Sequence, residues 1–295
     1  MAGKPRRRGA TALLMRLLTV VRGELTKMLR QKGTYAGYAL LAVFCGLFVW
    51  GVWAEGPPTG DLSRRLGDDM AVGGDLVTGP LVPYILLVQI PVAINVFIPL
   101  LIGMVAGGLV AGEAQRGTLR AMLSRPVHRW VVMVGKLIAA FVHTATLVIF
   151  LGVFALVLGY IVFGGGDIVT IDGGLRIFAE PDALGRLALS YGLTVLLLCS
   201  VAAIAVLCST VFEKPLTASG VTVGFLIVSA TLMVIPYFEW LKPYLLTSHF
   251  TPFKHIFVRS VDWGAVGKDL TYIAAYVVAA AGAALAVFCR KDITC

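Results

Sequence analysis

Long apolar stretches alternate with short polar breaks along most of the chain, and each stretch is long enough to cross a bilayer as a helix. The predicted spans cover residues 35–53, 90–111, 131–163, 184–212, 216–238 and 270–289. These stretches are too long for barrel strands and lack the alternation of a barrel. The pattern therefore predicts an all-α polytopic membrane protein with six transmembrane helices.

The N-terminal region, residues 1–32, precedes the membrane domain, which is predicted over residues 33–293. Residues 1–10 are expected to form an unstructured basic tail. From Leu13 to Arg30 the leucines and valines fall on one face of a helix, whereas most of the basic residues fall elsewhere. Because a span follows at once, we expect this helix to lie in the cytoplasmic membrane interface. A soluble amphipathic helix is the alternative.

Three polar or broken segments between spans stand out. Residues 81–111 contain Pro83, Pro91 and Pro99, and residues 80–88 are predicted to form a short external or re-entrant helix before the second span. Residues 164–174 are expected to make an external turn. Residues 239–268 form a long external segment with aromatic residues and two histidines. An amphipathic gate and a plain surface helix are both open interpretations of that segment.

The net charge of +9 at first suggests nucleic-acid binding. However, about two thirds of the 25 Lys and Arg residues lie on the predicted cytoplasmic side, and about three quarters of the 16 acidic residues lie on the other. The basic excess is therefore a signal of topology. It predicts a multi-pass protein of the cell (inner) membrane with both termini in the cytoplasm and no nucleic-acid partner.

The polar segment between the second and third spans contains residues that typically end or begin helices. Gly117 suits the position just past a helix end, and Thr118 suits the first cap of a new helix. Pro126 disfavours a helical conformation at the residue before it. The sequence thus predicts a short helix over about 117–126, lying on the membrane surface between two spans. A plain basic loop that obeys the charge rule is the alternative.

The run EAQRGTLRAMLSRPVHR, Glu113 to Arg129, followed by Gly135-Lys136-Leu137, resembles the first cytoplasmic loop of type-2 ATP-binding-cassette (ABC) permeases. The NosY-like type, from nitrous-oxide-reductase maturation, is most similar, and the layout of spans and the ending FCRKDI agree. The resemblance implies that this segment is the coupling helix, which contacts an ATPase. The residues expected to couple to the ATPase are Glu113, Arg116, Gly117, Thr118, Leu119, Arg120, Leu123, Pro126 and Arg129.

The resemblance also implies the partners. Two permease copies pair, as a homodimer in the simplest case, and two ATPase subunits bind them and carry the ATP and Mg. The ATP site is expected on the separate ATPase, because this chain lacks a G-x-x-x-x-G-K-[ST] loop. No cofactor or catalytic residue is expected in the chain itself. Residues 262–269 come near that motif but have Asp262 and Asp269 at two required positions. The expected function is that of an exporter permease.

Few polar residues lie within the predicted spans. Asn95, His143 and Thr144 are candidates for a translocation path, although a lone His143 also suits a hydrogen bond to a neighbouring helix. The scattered histidines and cysteines predict neither a metal site nor disulfides. A secondary transporter and a membrane-embedded enzyme remain as alternatives, but the repeats and paired catalytic groups that they require are not evident.

Overall fold

The computed structural model describes residues 6–55, 78–89, 96–118, 128–170, 176–250, 252–258 and 261–290 of the chain. Helix α1 spans Arg6–Arg30 and α2 spans Lys32–Glu55. The amphipathic helix therefore begins at Arg6, so residues 6–10 of the expected tail are helical. Helix α2 is uniformly apolar and long enough to cross a membrane.

Two short helical pieces precede the second span. Helix α3 (Leu81–Tyr84) continues into a π-helical turn, Ile85–Gln89. The side chains from Leu81 to Val88 are buried, and the Tyr191 hydroxyl donates a hydrogen bond to the carbonyl of Pro83 at 3.1 Å. The predicted short helix near residues 80–88 is thus packed inside the protein. Residues 90–95, the predicted start of the second span, lie outside the described part of the chain.

The second span is divided at Gly107. Helix α4 covers Ile98–Ala106 and α5 covers Gly108–Gln115, four residues beyond the predicted end at Ala111. The Ser209 hydroxyl donates to the Gly107 carbonyl at 2.6 Å and accepts from the N–H groups of Val110 and Ala111, each at 3.0 Å. One side chain thereby satisfies backbone groups that the break leaves without helical partners, which a membrane interior requires.

The third and fourth spans are α6 (Arg129–Phe163) and α7 (Glu180–Val211). They are joined by an antiparallel hairpin of β1 (Ile168–Thr170) and β2 (Arg176–Phe178), in which Ile168 pairs with Phe178. Part of the predicted external turn is thus a strand. Three-residue strands carry too little alternation to be recognised by pattern alone.

The last two spans are α8 (Pro215–Val234) and α9 (Trp263–Arg290). Helix α8 ends four residues before the predicted 238, and α9 begins seven residues before the predicted 270. Between them lie three 3₁₀ helices, Pro236–Tyr244, Leu246–His249 and Pro252–His255. We call residues 236–258, without residue 251, the 3₁₀ segment. Pro236 and Pro243 lack the N–H that a continuing α-helix needs, which explains the early end of α8.

Helix α7 lies at the centre of the bundle and packs against α4, α6, α8 and α9. Small residues such as Ala202, Ala203 and Ala205 are fully buried along it and allow close approach of its neighbours. The described residues contain six helical units that are long and apolar enough to cross a membrane. This confirms the predicted all-α polytopic class.

The bundle has two polar ends. The basic face carries α1, residues 116–118, the turn at Glu213–Lys214 and Arg290. The opposite face carries the hairpin and the 3₁₀ segment.

Candidate functional site

Four charged side chains meet at the basic face and form what we call the ion-pair cluster: Glu24, Lys27, Glu113 and Lys136. Glu24 and Lys27 come from α1, Glu113 comes from the end of α5, and Lys136 comes from the start of α6. The two carboxylates balance the two ammonium groups. The cluster therefore joins three separate elements through complementary charge.

Lys136 is the centre of the ion-pair cluster, and its side chain is 0% exposed. Its ammonium donates to Glu113 Oε2 at 2.7 Å, to Glu24 Oε2 at 3.2 Å and to the Leu109 carbonyl at 2.8 Å. All three N–H donors of the ammonium are thus used. Burying an unpaired ammonium would cost several kcal/mol, so the position of Lys136 depends on these acceptors.

Lys27 closes the cluster from the solvent side. It contacts Glu24 Oε1 at 3.0 Å and Glu113 Oε1 at 2.8 Å, and its side chain is 50% exposed. Burial lowers the pKa of Lys27, but hydrogen bonds to Glu113 and Glu24 and the charges of both carboxylates outweigh burial. The net pKa of Lys27 is therefore raised above 10.5. This lysine stays charged throughout the physiological range.

Gly135 brings α1 against α6 beside Lys136. A Cβ atom at this position would lie 2.6 Å from Val20 Cγ1, closer than a side chain can tolerate. The missing side chain lets the two helices approach until Glu24, 2% exposed, reaches Lys136. The glycine and lysine of the Gly135-Lys136 pair thus act together, one by its small size and the other by its charge.

The polar segment that follows Glu113 begins as a helix end. Gly117 has φ 70°, the left-handed conformation expected just past a helix C-terminus. The Thr118 hydroxyl donates back to the Glu113 carbonyl at 3.3 Å, and the short helix predicted to follow Thr118 lies outside the described residues. Arg116 is exposed. At the far side of the segment, Arg129 Nη1 contacts the Cys289 carbonyl at 3.5 Å, near the end of α9.

Comparison with known proteins decides the family. Residues 18–293 match the sequence model described as "ABC-2 family transporter protein", which covers most of the chain. The chain belongs to the ABC-2 family of transporter proteins. Membership agrees with the six candidate spans and makes the chain a transporter protein of the membrane. The resemblance seen in the polar segment is thereby confirmed.

A relative of this ABC-2 protein is the "Uncharacterized protein YhcI" of Bacillus subtilis (strain 168), which is 26% identical over 199 residues. The alignment covers 64% of this chain and 62% of YhcI. The chain thus matches less than two thirds of the length of that relative.

The residues predicted to couple this ABC-2 protein to its ATPase divide into two groups. Glu113 is in the ion-pair cluster, and Arg116, Gly117, Thr118 and Arg129 flank the polar segment. The others lie outside the described part of the chain: Leu119, Arg120, Leu123 and Pro126.

Sequence reasoning missed Glu24, Lys27 and Lys136 as site residues. A lysine at the start of an otherwise apolar span, and a glutamate in a basic amphipathic helix, were the available signals. Neither Lys136 nor Glu24 indicates a site by itself, and only the fold brings them together across 112 positions.

The described structure does not bring the candidate residues of the translocation path together. Thr144 is buried and donates to the Ala140 carbonyl of its own helix at 2.9 Å. The ring of His143 meets Tyr38 of α2 edge-on, with 6.1 Å between centroids. No described residue forms a hydrogen bond with the buried His143 Nε2. Asn95 lies outside the described residues.

Proposed function

We propose that the chain is the permease through which a separate ATPase drives transport, and that the ion-pair cluster carries movement from that ATPase to the spans. One observation carries the proposal. A fully buried lysine, Lys136, holds carboxylates from α1 and α5 at 3.2 and 2.7 Å. Such a junction resists separation, since the loss of either carboxylate would leave the buried Lys136 ammonium without one of its acceptors.

The position of the cluster supports this role. The polar segment predicted to form the coupling helix, about 117–126, leaves α5 after Glu113 and enters α6 before Lys136. Both of its ends are therefore held by the same ion pair. A push on this segment would move α5, α6 and α1 together as one body. Arg129 extends the connection to α9.

The assembly that we propose contains two copies of this chain and two ATPase subunits, with ATP and Mg bound to the latter. The basic face lies in the cytoplasm and carries both termini, and the membrane is the cell membrane. The concentration of Lys and Arg at that face supports this orientation.

We propose export of an apolar or amphipathic cargo. Charged side chains in the described spans are concentrated at the two faces, which suits a greasy cargo better than a small ion. Asn95, His143 and Thr144 stay candidates for the path. The Nε2 atom of His143 has no hydrogen-bond partner among the described residues, so it is available to form a hydrogen bond with a cargo. A secondary transporter or a membrane-embedded enzyme would instead act without an ATPase.

The test combines the purified chain with its ATPase in lipid nanodiscs and measures ATP hydrolysis with and without the permease. Glu113→Gln keeps the shape of the side chain but removes the charge that faces Lys136 and Lys27. We expect this variant to bind the ATPase and to lose most of the permease-dependent change in hydrolysis. The matched control is Glu239→Gln, in an exposed pair on the opposite face.

Two results would count against the proposal. If Glu113→Gln changes hydrolysis no more than Glu239→Gln does, the cluster does not couple. If the wild-type chain neither binds the ATPase nor alters its activity, the ATP-driven function itself is wrong.

A further inference from the structure

His249 joins three elements on the opposite face. It ends the 3₁₀ helix Leu246–His249, and its ring stacks on Tyr272 of α9 with 4.3 Å between centroids. The Nδ1 atom lies 2.7 Å from Asp269 Oδ1, also on α9. The Nε2 atom lies 3.0 Å from the carbonyl of Pro243, in the first 3₁₀ helix. The side chain of His249 is only 8% exposed.

These contacts determine how many protons the pair holds. A carbonyl oxygen only accepts hydrogen bonds, so Nε2 must carry a proton. If Asp269 is ionised, Nδ1 must carry a second proton, and the ring is an imidazolium. If Nδ1 is bare, Asp269 must be protonated. In both arrangements His249 and Asp269 together hold one proton more than a neutral imidazole beside a carboxylate.

The orientation of the ring is well determined by its neighbours. A flipped imidazole would turn carbon atoms toward both oxygens and lose both contacts. The two acceptors therefore support the observed placement.

Among the described residues, few other titratable groups lie around the pair. His255 Nε2 lies 4.0 Å from Asp269 Oδ2. In the first 3₁₀ helix, Lys242 pairs with Glu239 at 3.3 Å. Helix α8, which packs against the Leu246–His249 helix, has no titratable side chain between Pro215 and Val234 and contributes the contact of Ser229 with Thr247 at 2.9 Å. His249 and Asp269 thus face each other, with Tyr272 stacked on the imidazole and His255 near the carboxylate as their closest described ionisable neighbours.

Helix α9 and the third 3₁₀ helix complete the surroundings. On α9, Tyr276 donates to the Tyr244 carbonyl at 2.5 Å, and Lys268 is exposed. Arg186 of α7 pairs with Asp182 at 2.9 Å and binds the carbonyls of Ile256 and Val258. These groups have partners of their own or face solvent, and so the extra proton belongs to the His249–Asp269 pair.

We propose that His249 and Asp269 form a proton-binding site that fastens the 3₁₀ segment to α9 when occupied and loosens it when the proton leaves. Without the extra proton, a neutral imidazole can donate from one nitrogen only. The other nitrogen would then turn a lone pair toward the Pro243 carbonyl or toward Asp269, in a buried place where such a contact is costly. The proton-binding site would act in the same way with or without an ATPase partner.

The direction of the pH effect follows from linkage. The fastened form holds the extra proton and the loosened form does not need it, so low pH favours fastening and rising pH favours release. Histidines as a class change charge between about pH 5 and 8, the range in which release is expected. An acidic medium at the opposite face would therefore keep the 3₁₀ segment fastened to α9.

The test is hydrogen exchange of the full chain in lipid nanodiscs, read by mass spectrometry on peptides within residues 236–250. Exchange is measured from about pH 5.5 to about pH 8.5 and is corrected for the intrinsic rate at each pH. We expect protection to be lost progressively as the pH rises across the range, because the fastened form alone requires the extra proton. A flat wild-type profile would overturn the proposal.

Three variants separate this mechanism from others. In Asp269→Asn the amide can donate to Nδ1 while Nε2 donates to Pro243, so both contacts form without an extra proton. Protection should then stay high at every pH. In His249→Gln the amide can donate to Pro243 but leaves Asp269 without its donor, and protection should stay low and flat. His255→Gln is the matched control and should keep the wild-type dependence.

The outcomes are decisive in either direction. If Asp269→Asn keeps the wild-type slope, or if His255→Gln removes it, the proton is not held by the His249–Asp269 pair.

Discussion

The two faces of the protein are each held together by charged groups, but by different chemistry. At the basic face, the ion-pair cluster uses two lysines and two glutamates, with Lys136 fully buried. At the opposite face, His249 and Asp269 meet at 2.7 Å, and Arg186 binds the carbonyls of Ile256 and Val258 at 2.5 and 2.8 Å.

The difference separates a permanent junction from an adjustable one. Lysine and glutamate keep their charges near neutral pH, so the cluster holds α1, α5 and α6 together under ordinary conditions. Histidines as a class change charge between about pH 5 and 8, and in the proposal above the hold on the 3₁₀ segment depends on a proton shared with Asp269. A constant junction suits the force transmission proposed for the ion-pair cluster, whereas a proton-dependent one suits the release proposed for the 3₁₀ segment.

The largest expected effect comes from Lys136→Met, which removes the centre of the cluster. Glu24 and Glu113 would then share Lys27, which is half exposed. We expect a loss of about 3–5 kcal/mol in the free energy of unfolding, the usual result of breaking a buried charge pair. Denaturant unfolding in detergent measures it.

Its control is Lys268→Met, which removes an exposed lysine on the opposite face and should change stability by less than about 0.5 kcal/mol. Equal losses in both variants would show that burial of Lys136 is not what holds the basic face.

A smaller effect is expected from Arg186→Lys on the opposite face. The planar guanidinium contacts two carbonyls and Asp182 and also lies 4.6 Å above the ring of Phe178. An ammonium cannot reproduce this geometry. We expect a loss of about 1.5–3 kcal/mol, the range for hydrogen bonds to a charged group, with faster hydrogen exchange in residues 252–258.

Arg290→Lys, at the exposed end of α9, is the matched control and should leave that exchange unchanged. Slower or unchanged exchange in Arg186→Lys would mean that the 3₁₀ segment is held mainly by its buried aromatic residues.

The smallest effect is expected from Lys27→Gln. The Lys27 side chain is 50% exposed, so solvent screens its ion pairs and we expect a loss of no more than about 1 kcal/mol. Because the pKa of Lys27 is raised, its contribution is full below the unfolded value of 10.5 and is lost only as the pH rises past the raised pKa.

Exchange in residues 17–30 should therefore be independent of pH from about 5.5 to about 8.5 after correction, unlike exchange in residues 236–250. A parallel pH response in the two peptides would contradict the contrast between a permanent and an adjustable junction.

The sequence predicted the class and family of this protein because apolar spans and helix-ending residues are local signals. Six apolar stretches and a glycine at position 117 can each be recognised within a few residues. The pairing of Glu24 with Lys136 joins positions far apart, and hydrophobic periodicity contains no information about it. His249 and Asp269 were missed for the same reason, since 3₁₀ helices lack the period that would have placed the histidine against α9.

The break at Gly107 divides the second span into an upper part and a short lower rod that ends at Glu113. The Ser209 hydroxyl binds the Gly107 carbonyl and two N–H groups of the rod, so one side chain of the neighbouring helix α7 holds the span on both sides of Gly107. Replacement of that serine by an apolar residue would remove all three hydrogen bonds while the sequence of the span itself stayed the same. The backbone of the second span is thus stabilised, in part, from the helix at the centre of the bundle.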